Sequence, residues 1–170
     1  TQYTEIDVPI FNRTKYAIVT VDQLVAEGWP KKATILGRGI LAVANSCRAL
    51  DFADGNQITA NNVLNREYNH IYPEALLKEA NEELKPEINI YLALNCALIT
   101  GKTNRNIGRK NPYDYLEDRY EWADENMVKQ RLESHLIPIN ELKAGQYTDL
   151  MGSPRAEKIR TDYDAFIHKR

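Results

Sequence analysis

Apolar residues recur at intervals of three and four along most of the chain, which is the spacing of a helix face packed against a core. The clearest case is the segment Ile35–Leu50, whose apolar positions are Ile40, Leu41, Ala44, Cys47 and Leu50. Further helices are predicted at Val21–Glu27, Glu74–Leu84, Pro112–Trp122, Asp124–Leu132 and Arg155–His168, and an irregular segment at Asn140–Pro154. The pattern therefore predicts a mostly helical chain.

A few short segments have a different pattern. Arg66–Ile71 is a β-type run, and Pro73 ends it because proline cannot donate a backbone hydrogen bond. The run Glu87–Ile99 is strongly apolar but fits the helical and the strand period in different parts, so the pattern leaves its conformation open. Residues 1–19 predict an extended N-terminal segment, because isoleucine and valine alternate with an aspartate and a proline between positions 6 and 10.

Length and composition indicate one ordinary globular domain. The chain has 170 residues, of which 43% are hydrophobic and 27% charged, and its net charge is −2. This charge argues against a wholly basic nucleic-acid binder but not against a local basic groove. Cys47 and Cys96 form no CxxC pair, so neither a disulfide framework nor a structural zinc site is expected.

The sequence has no segment of membrane-spanning length and no signal-peptide pattern. We therefore expect a cytoplasmic protein that does not associate with a membrane. Because the chain starts without methionine, we also expect it to be part of a longer protein.

Four residues occur in an order that is typical of one kind of nuclease site. His70 ends the β-type run, and Pro73 follows three residues later. Asn95 opens the last part of the apolar run, and Asn104 stands at the head of a basic segment. This order resembles the HNH, or ββα-metal, endonuclease motif, in which a strand carries a metal ligand followed by a general-base histidine. A second strand then opens with a positioning asparagine, and the start of a helix supplies the last ligand.

A wider resemblance covers residues 66–138, which are similar to the C-terminal HNH domain of GmrSD-type, modification-dependent restriction proteins and their phosphorothioate-sensing relatives. It implies an α+β fold, mostly helical, in which helices pack around a small ββα-metal motif. The motif core is expected at 66–110, within one domain over 1–170 and between helical flanks at 20–65 and 111–170. The second strand is then Ala97–Thr100, and a helix begins near Thr103 and ends at Gly108 or Pro112.

The resemblance also implies partners and a role. The chain is expected to be the cutting or nicking arm of a bacterial restriction or phage-defence protein, acting on phage or modified DNA. A separate N-terminal NTPase-like domain of the same protein senses the modification or a nucleotide.

Hydrolysis of a phosphodiester requires an activated water, neutralisation of the phosphate and stabilisation of the leaving oxygen. The resemblance assigns His70 as the general base and Asn95 as the residue that holds its segment in place. Asn69 and Asn104 are the expected ligands of one Mg²⁺ or Mn²⁺, since hard cations prefer oxygen donors. Four cations within nine residues are the expected phosphate contacts: Lys102, Arg105, Arg109 and Lys110.

Asn69 departs from the family pattern, which has histidine or aspartate there. A neutral amide oxygen carries no charge to hold the ion, so metal affinity should be lower. A natural variant with weakened cleavage and an engineered inactivating substitution both fit this departure. Glu67 is left out of the site because its position on the strand points it loosely away from His70.

Other interpretations of the same residues stay open. The HNH scaffold fits a DNA-binding module without cleavage, and the chain fits a helical protein-interaction domain with a coincidental motif. His70 fits a hydrogen-bonded core residue, Asn104 fits a helix N-cap, and the basic run fits a solvated surface. We expect His135 to have a packing or capping role and Cys96 to be a small buried hydrophobe.

Overall fold

The computed structural model describes residues 12–31 and 35–170. The part of the predicted N-terminal segment before residue 12 lies outside the described residues. Within the described ranges the chain forms a two-stranded sheet and eight α-helices. In chain order these are α1 (Val21–Val25), α2 (Ile35–Ser46), β1 (Arg66–His70), α3 (Glu74–Glu83), β2 (Cys96–Thr100), α4 (Gly101–Ile107), α5 (Pro112–Tyr120), α6 (Glu125–Glu133), α7 (Ile139–Lys143) and α8 (Gly152–Lys169). A combination of helices with a small sheet is thus confirmed.

The predicted helices are present, with some differences at their ends. α2 ends at Ser46 and not at Leu50, because Arg48 takes the left-handed conformation with φ of 61° and Leu50 pairs with Gln57 in an isolated bridge. The prediction of an irregular segment at Asn140–Pro154 is wrong at its start, where α7 forms and buries Leu142. A helix of five residues is too short to give a periodic signal in the sequence.

The open question about the apolar run is resolved in two parts. Ala93–Asn95 forms one turn of 3₁₀-helix, and the chain then continues directly into β2. β2 pairs with β1 in antiparallel register, with Asn69 opposite Ala97 and His70 opposite Cys96. Successive residues of a strand face opposite sides of the sheet, so the side chains of Asn69 and His70 leave β1 on opposite faces.

Both faces of the sheet are covered. Ala97 and Ile99 belong to the main core, which also contains the buried faces of α3 and α8. Cys96 and Leu98 face a smaller apolar cluster with Leu41 of α2, against which Trp29 packs. β2 therefore lies in the protein interior, whereas β1 exposes Glu67 and Tyr68, and the expected burial of Cys96 is confirmed.

A buried carboxylate connects the ends of the strands that lie away from His70. Asp51 Oδ2 accepts from Arg66 Nη1 at 3.1 Å and from the backbone N–H of Thr100 at 2.6 Å. Its Oδ1 accepts from Thr103 Oγ1 at 2.5 Å and from the backbone N–H of Ala53. Burial alone raises the pKa of Asp51, but these hydrogen bonds outweigh it and leave the pKa below its ordinary value. Asp51 thereby fixes β1, β2 and the first turn of α4 relative to one another.

α4 begins two residues earlier than predicted. Its N-cap is Thr100, whose side-chain oxygen accepts from the backbone N–H of Thr103. The helix ends at Gly108, which takes φ of 56° and is one of the two predicted ends. Asn104 therefore lies inside the helix and is not its N-cap. Among the described residues, no helix combines the length and the apolar character that a membrane crossing requires.

Candidate functional site

A cavity of about 880 Å³ runs along β1, and all five residues of the strand line it. Asn69, His70 and Asn104 all line it, so residues of β1 and α4 meet there as the sequence predicted. Asn69 and His70 pair with Ala97 and Cys96, which face different apolar clusters, so the two side chains leave β1 on opposite faces although both residues border the cavity. Glu67 and Trp29 line the same cavity, and the sequence analysis had included neither in the site.

Aromatic rings hold the His70 imidazole in place. Trp29 stacks on it with ring centroids 4.0 Å apart and an interplanar angle of 15°, and Tyr91 meets it edge-on at 5.5 Å. Trp29 is positioned by the adjacent backbone, since Gly28 bridges to Leu92 of the segment before β2. The stack fixes the plane of the imidazole and covers one of its faces.

The two nitrogens of His70 have different surroundings. Nε2 is buried and has no hydrogen-bond partner among the described residues. Nδ1 lies 3.9 Å from Glu74 Oε2, at the first residue of α3. Burial lowers the pKa of His70 to about 4, partly offset by the Glu74 carboxylate and reinforced by Lys78. At neutral pH the imidazole is therefore uncharged and able to accept a proton.

Asn69 is a buried amide that lacks one of its hydrogen bonds. The residue is 3% exposed, and its Nδ2 atom finds no acceptor in the described part of the protein. Buried amides are nearly always paired, and leaving one unpaired costs about 1–3 kcal/mol. A polar atom of this kind on the wall of a cavity is typical of a group that binds a ligand, water or ion.

Asn104 is in direct contact with a carboxylate. Its Nδ2 atom donates to Glu67 Oε2 at 2.8 Å, which connects α4 to β1 across the cavity wall. Glu67 was left out of the predicted site because of its strand position. The structure instead places it at the same cavity as His70, because Glu67 is exposed and the cavity runs along the whole of β1.

Asn95 directly precedes β2, and its side chain bonds to the backbone of the segment that follows His70. Its Oδ1 accepts from the backbone N–H of Tyr72 at 2.8 Å, and its Nδ2 donates to the backbone oxygens of Tyr72 and Ile90. The side chain is fully buried, and all these bonds end on backbone atoms. Asn95 thus holds the conformation of the segment that follows His70.

The basic segment is exposed, but its cations are not equivalent. Lys102, Arg105 and Arg109 are exposed, whereas Lys110 forms an ion pair with Asp118 of α5. Lys31 and Lys78 line the cavity itself, although neither belongs to the basic segment that the sequence analysis singled out. Lys78 is paired with Glu74, so Lys31 has the more available charge of the two.

Comparisons with protein-family models, curated proteins and solved structures found no match for this chain. Across residues 12–31 and 35–170, no group of three or more His, Cys, Asp or Glu side chains is placed to hold a metal ion. The site must accordingly be judged from its own geometry and chemistry.

The cavity wall nevertheless offers oxygen donors suited to a hard cation. The amides of Asn69 and Asn104 and the carboxylate of Glu67 are oxygen ligands of the type that Mg²⁺ and Mn²⁺ prefer. The unpartnered atom of the buried Asn69 amide is Nδ2, and a half-turn about the last torsion places the ligating oxygen, Oδ1, at that position. The residues present are thus compatible with the metal that the sequence predicted.

The other two histidines have surroundings of a different kind. His135 is buried, its Nε2 lies 2.8 Å from the backbone oxygen of Leu50, and its ring packs edge-on against Phe52. The prediction of a packing role for His135 is confirmed. His168 is exposed and bonds to the backbone oxygen of Asp164 within α8.

Proposed function

We propose that this chain is a metal-dependent DNA endonuclease domain of the HNH type, which nicks or cleaves DNA within a bacterial restriction or phage-defence protein. The observation that carries the proposal is the meeting of Asn69, His70 and Asn104 in one open cavity, where two buried polar atoms lack partners. A helical interaction domain with a coincidental motif gives no reason for these side chains to converge.

His70 is the general base in this proposal. The uncharged imidazole accepts a proton from water at Nδ1, because Nε2 is enclosed by protein. The imidazolium so formed lies beside the Glu74 carboxylate, which stabilises the new positive charge. Trp29 keeps the ring plane fixed while the proton moves, and Asn95 fixes the backbone turn that follows the histidine.

Asn69 and Asn104 are the side chains that would hold Mg²⁺ or Mn²⁺. When bound, such an ion neutralises the scissile phosphate and stabilises the leaving oxygen. Lys102, Arg105, Arg109 and Lys110, together with Lys31 at the cavity, would bind flanking phosphates and set the register of the DNA.

The wider biological setting belongs to the same proposal and depends on the resemblance of residues 66–138 to GmrSD-type proteins. It comprises an N-terminal NTPase-like sensor domain, modified or phage DNA as the substrate, and a cytoplasmic location.

The proposal is tested by nicking of supercoiled plasmid in a panel of divalent metals, with this chain compared with Asn69→Asp. We expect nicking with Mg²⁺ or Mn²⁺, and an increase of about tenfold in Asn69→Asp because the new carboxylate adds a charged ligand. Asn69→Leu is the matched control that removes the amide oxygen without adding charge. If both variants nick as fast as the parent chain, residue 69 has no part in metal binding.

A second candidate is a DNA-binding module that keeps the HNH scaffold but does not cleave. The neutral side chain of Asn69 is the observation that favours it, since a site with fewer charged ligands binds metal more weakly. Electrophoretic shift of a DNA duplex that persists in EDTA, with no nicking in any divalent metal, would replace the nuclease proposal by this one.

A further inference from the structure

The carboxylate of Glu67 is part of the wall on which the proposed metal ligands lie. Glu67 and Asn69 are two positions apart on β1 and therefore face the same side of the strand. Their partners across the sheet, Ile99 and Ala97, pack in the main core with Ile107 of α4. Glu67, Asn69 and α4 consequently share one side of the sheet, next to the cavity.

The contact between Glu67 and Asn104 has the dimensions of two neighbouring ligands. In an octahedral site with oxygens about 2.1 Å from the ion, adjacent oxygens are about 3 Å apart. Glu67 Oε2 lies 2.8 Å from the terminal amide atom of Asn104. A half-turn about the last torsion of Asn104 exchanges Nδ2 for Oδ1 at that position, so the same contact can present two oxygens to one cation.

Gly101 provides the space that the Glu67 carboxylate occupies. A Cβ atom at position 101 would lie 2.3 Å from Glu67 Oε1, well inside van der Waals contact. Gly101 is the first residue of α4, where its φ is not in the left-handed region and a larger residue would suit the helix better. The atoms that such a Cβ would meet are the ends of the flexible Glu67 and Arg105 side chains, so a larger residue would move the carboxylate from its present position.

We propose that Glu67 is a ligand of the divalent cation, together with Asn69 and Asn104, and supplies the negative charge that Asn69 lacks. This inference rests on the proposed function and extends it with an anionic ligand. Asn69 is the independent observation, because it is a buried amide on the same side of the strand whose Nδ2 has no partner, and a half-turn of the amide puts Oδ1 at that position. The site then has one carboxylate and two amide oxygens.

The competing explanation gives Glu67 a purely structural role, as a hydrogen-bond acceptor that connects β1 to α4 through Asn104. Glu67→Gln separates the two explanations, because glutamine keeps an oxygen that accepts from Asn104 but removes the charge. A purely structural role of Glu67 would be kept in this variant, whereas a role as a charged metal ligand would be lost.

The experiment measures Mn²⁺ binding to the chain from the electron paramagnetic resonance signal of free Mn²⁺, without DNA and without any activity readout. We expect Glu67→Gln to weaken Mn²⁺ binding about tenfold or more, because affinity for such ions follows the number of charged ligands. The melting temperature without metal should change by less than about 2 °C, since the hydrogen bond is kept. Glu82→Gln, at an exposed position of α3 outside the cavity, is the control for the loss of one negative charge, and a change of about threefold or less is expected there.

Two further variants test the position of the charge. Gly101→Ala should displace the Glu67 carboxylate and weaken Mn²⁺ binding while leaving the charge in the protein. Asn69→Asp added to Glu67→Gln should restore most of the lost affinity, because the charge then returns to a neighbouring position on the same strand face. If the role of Glu67 were purely structural, no recovery of Mn²⁺ affinity would be expected in this double variant.

The outcomes separate this inference from the proposed function. Equal Mn²⁺ affinity in the parent chain and Glu67→Gln, or no binding by the parent below about 10 mM Mn²⁺, overturns the inference. If the parent chain nicks plasmid while its Mn²⁺ affinity does not depend on Glu67, the nuclease proposal stands and the ligand assignment fails. If binding depends on Glu67 but no nicking is seen, the assignment stands and the nuclease proposal fails.

Discussion

His70 and His135 are both largely buried, and burial lowers the pKa of each to about 4. Their hydrogen bonding differs. His135 has its Nε2 bonded to the backbone oxygen of Leu50, whereas the Nε2 of His70 has no partner in the described ranges. His135 packs between core elements, and His70 lies on the wall of a cavity under a stacked tryptophan.

The comparison teaches that a shifted pKa alone does not identify a catalytic histidine. Desolvation is the largest cause of the shift at both positions, and it has the same effect in a core as in a cleft. What distinguishes the two residues is whether the polar atoms nearby are all satisfied by the protein. His135 contributes to stability, whereas His70 borders a cavity and can offer Nδ1, the nitrogen that is not enclosed, to a substrate.

The largest expected effect is on cleavage, in a comparison of His70→Ala with His135→Ala. His70→Ala should lower the nicking rate by about 10²–10⁴-fold, because the general base is lost. His135→Ala should leave the rate of the folded protein within about threefold but destabilise it by about 2–4 kcal/mol, since it opens a core cavity and removes the bond to Leu50. Plasmid nicking and urea unfolding of both variants measure the two effects.

Equal loss of nicking in the two variants at matched folded fractions would remove the distinction between the histidines. Unchanged nicking in His70→Ala would exclude this residue from the mechanism.

The second-largest expected effect is on the pH dependence of the free energy of unfolding. The pKa of His135 in the folded protein is about 4, below its ordinary value of 6.5, so the unfolded chain binds a proton more readily. The stability contributed by the neutral ring is complete above pH 6.5 and is lost as the pH falls from 6.5 to 4, by at most about 3 kcal/mol. The pKa of His70 is lowered to about 4 as well, so His70 contributes in the same window and His135→Gln should remove about half of this slope.

Urea unfolding at intervals between pH 7 and pH 4 measures this dependence. The lowered pKa of Asp51 acts in a different window, below its ordinary value of 3.8, because stability from a depressed carboxyl pKa is lost only as the pH falls towards the folded-state value. An identical slope in the parent chain and His135→Gln between pH 6.5 and pH 4 would contradict the assignment of that slope to His135.

The smallest effect concerns the cations near each histidine. Lys31 lines the cavity of His70, so Lys31→Ala should weaken DNA binding a few-fold and reduce the slope of log affinity against log salt by about 1. Lys129 of α6 lies beside Ser134, close to His135 in the chain, and its Nζ is 3.8 Å from Glu133. Lys129→Ala should leave both the affinity and the salt slope unchanged. Fluorescence anisotropy with a labelled duplex at several salt concentrations measures both variants, and equal effects would argue against a DNA surface at the cavity.

Local physics made much of the fold predictable. Helix faces, the capping of α1 by Thr20 and the stop at Pro73 all follow from neighbouring residues, and each is present. The short helix α7 and the early end of α2 were not predicted. Five residues are too few to show a hydrophobic periodicity, and nothing in the sequence indicates that Arg48 takes the left-handed conformation.

The sequence by itself determined the helical pattern, the positions of His70, Asn95 and Asn104 in a nuclease-like order, and the neutral residue at position 69. Tertiary structure alone decided which side chains meet them. Asp51 bonds to Arg66, Thr100 and Thr103, and Trp29 stacks on His70, from segments 15 to 52 residues away. Glu67 reaches Asn104 across 37 residues. Such contacts depend on how strands and helices pack at a distance, and no local spacing in a single sequence records that packing.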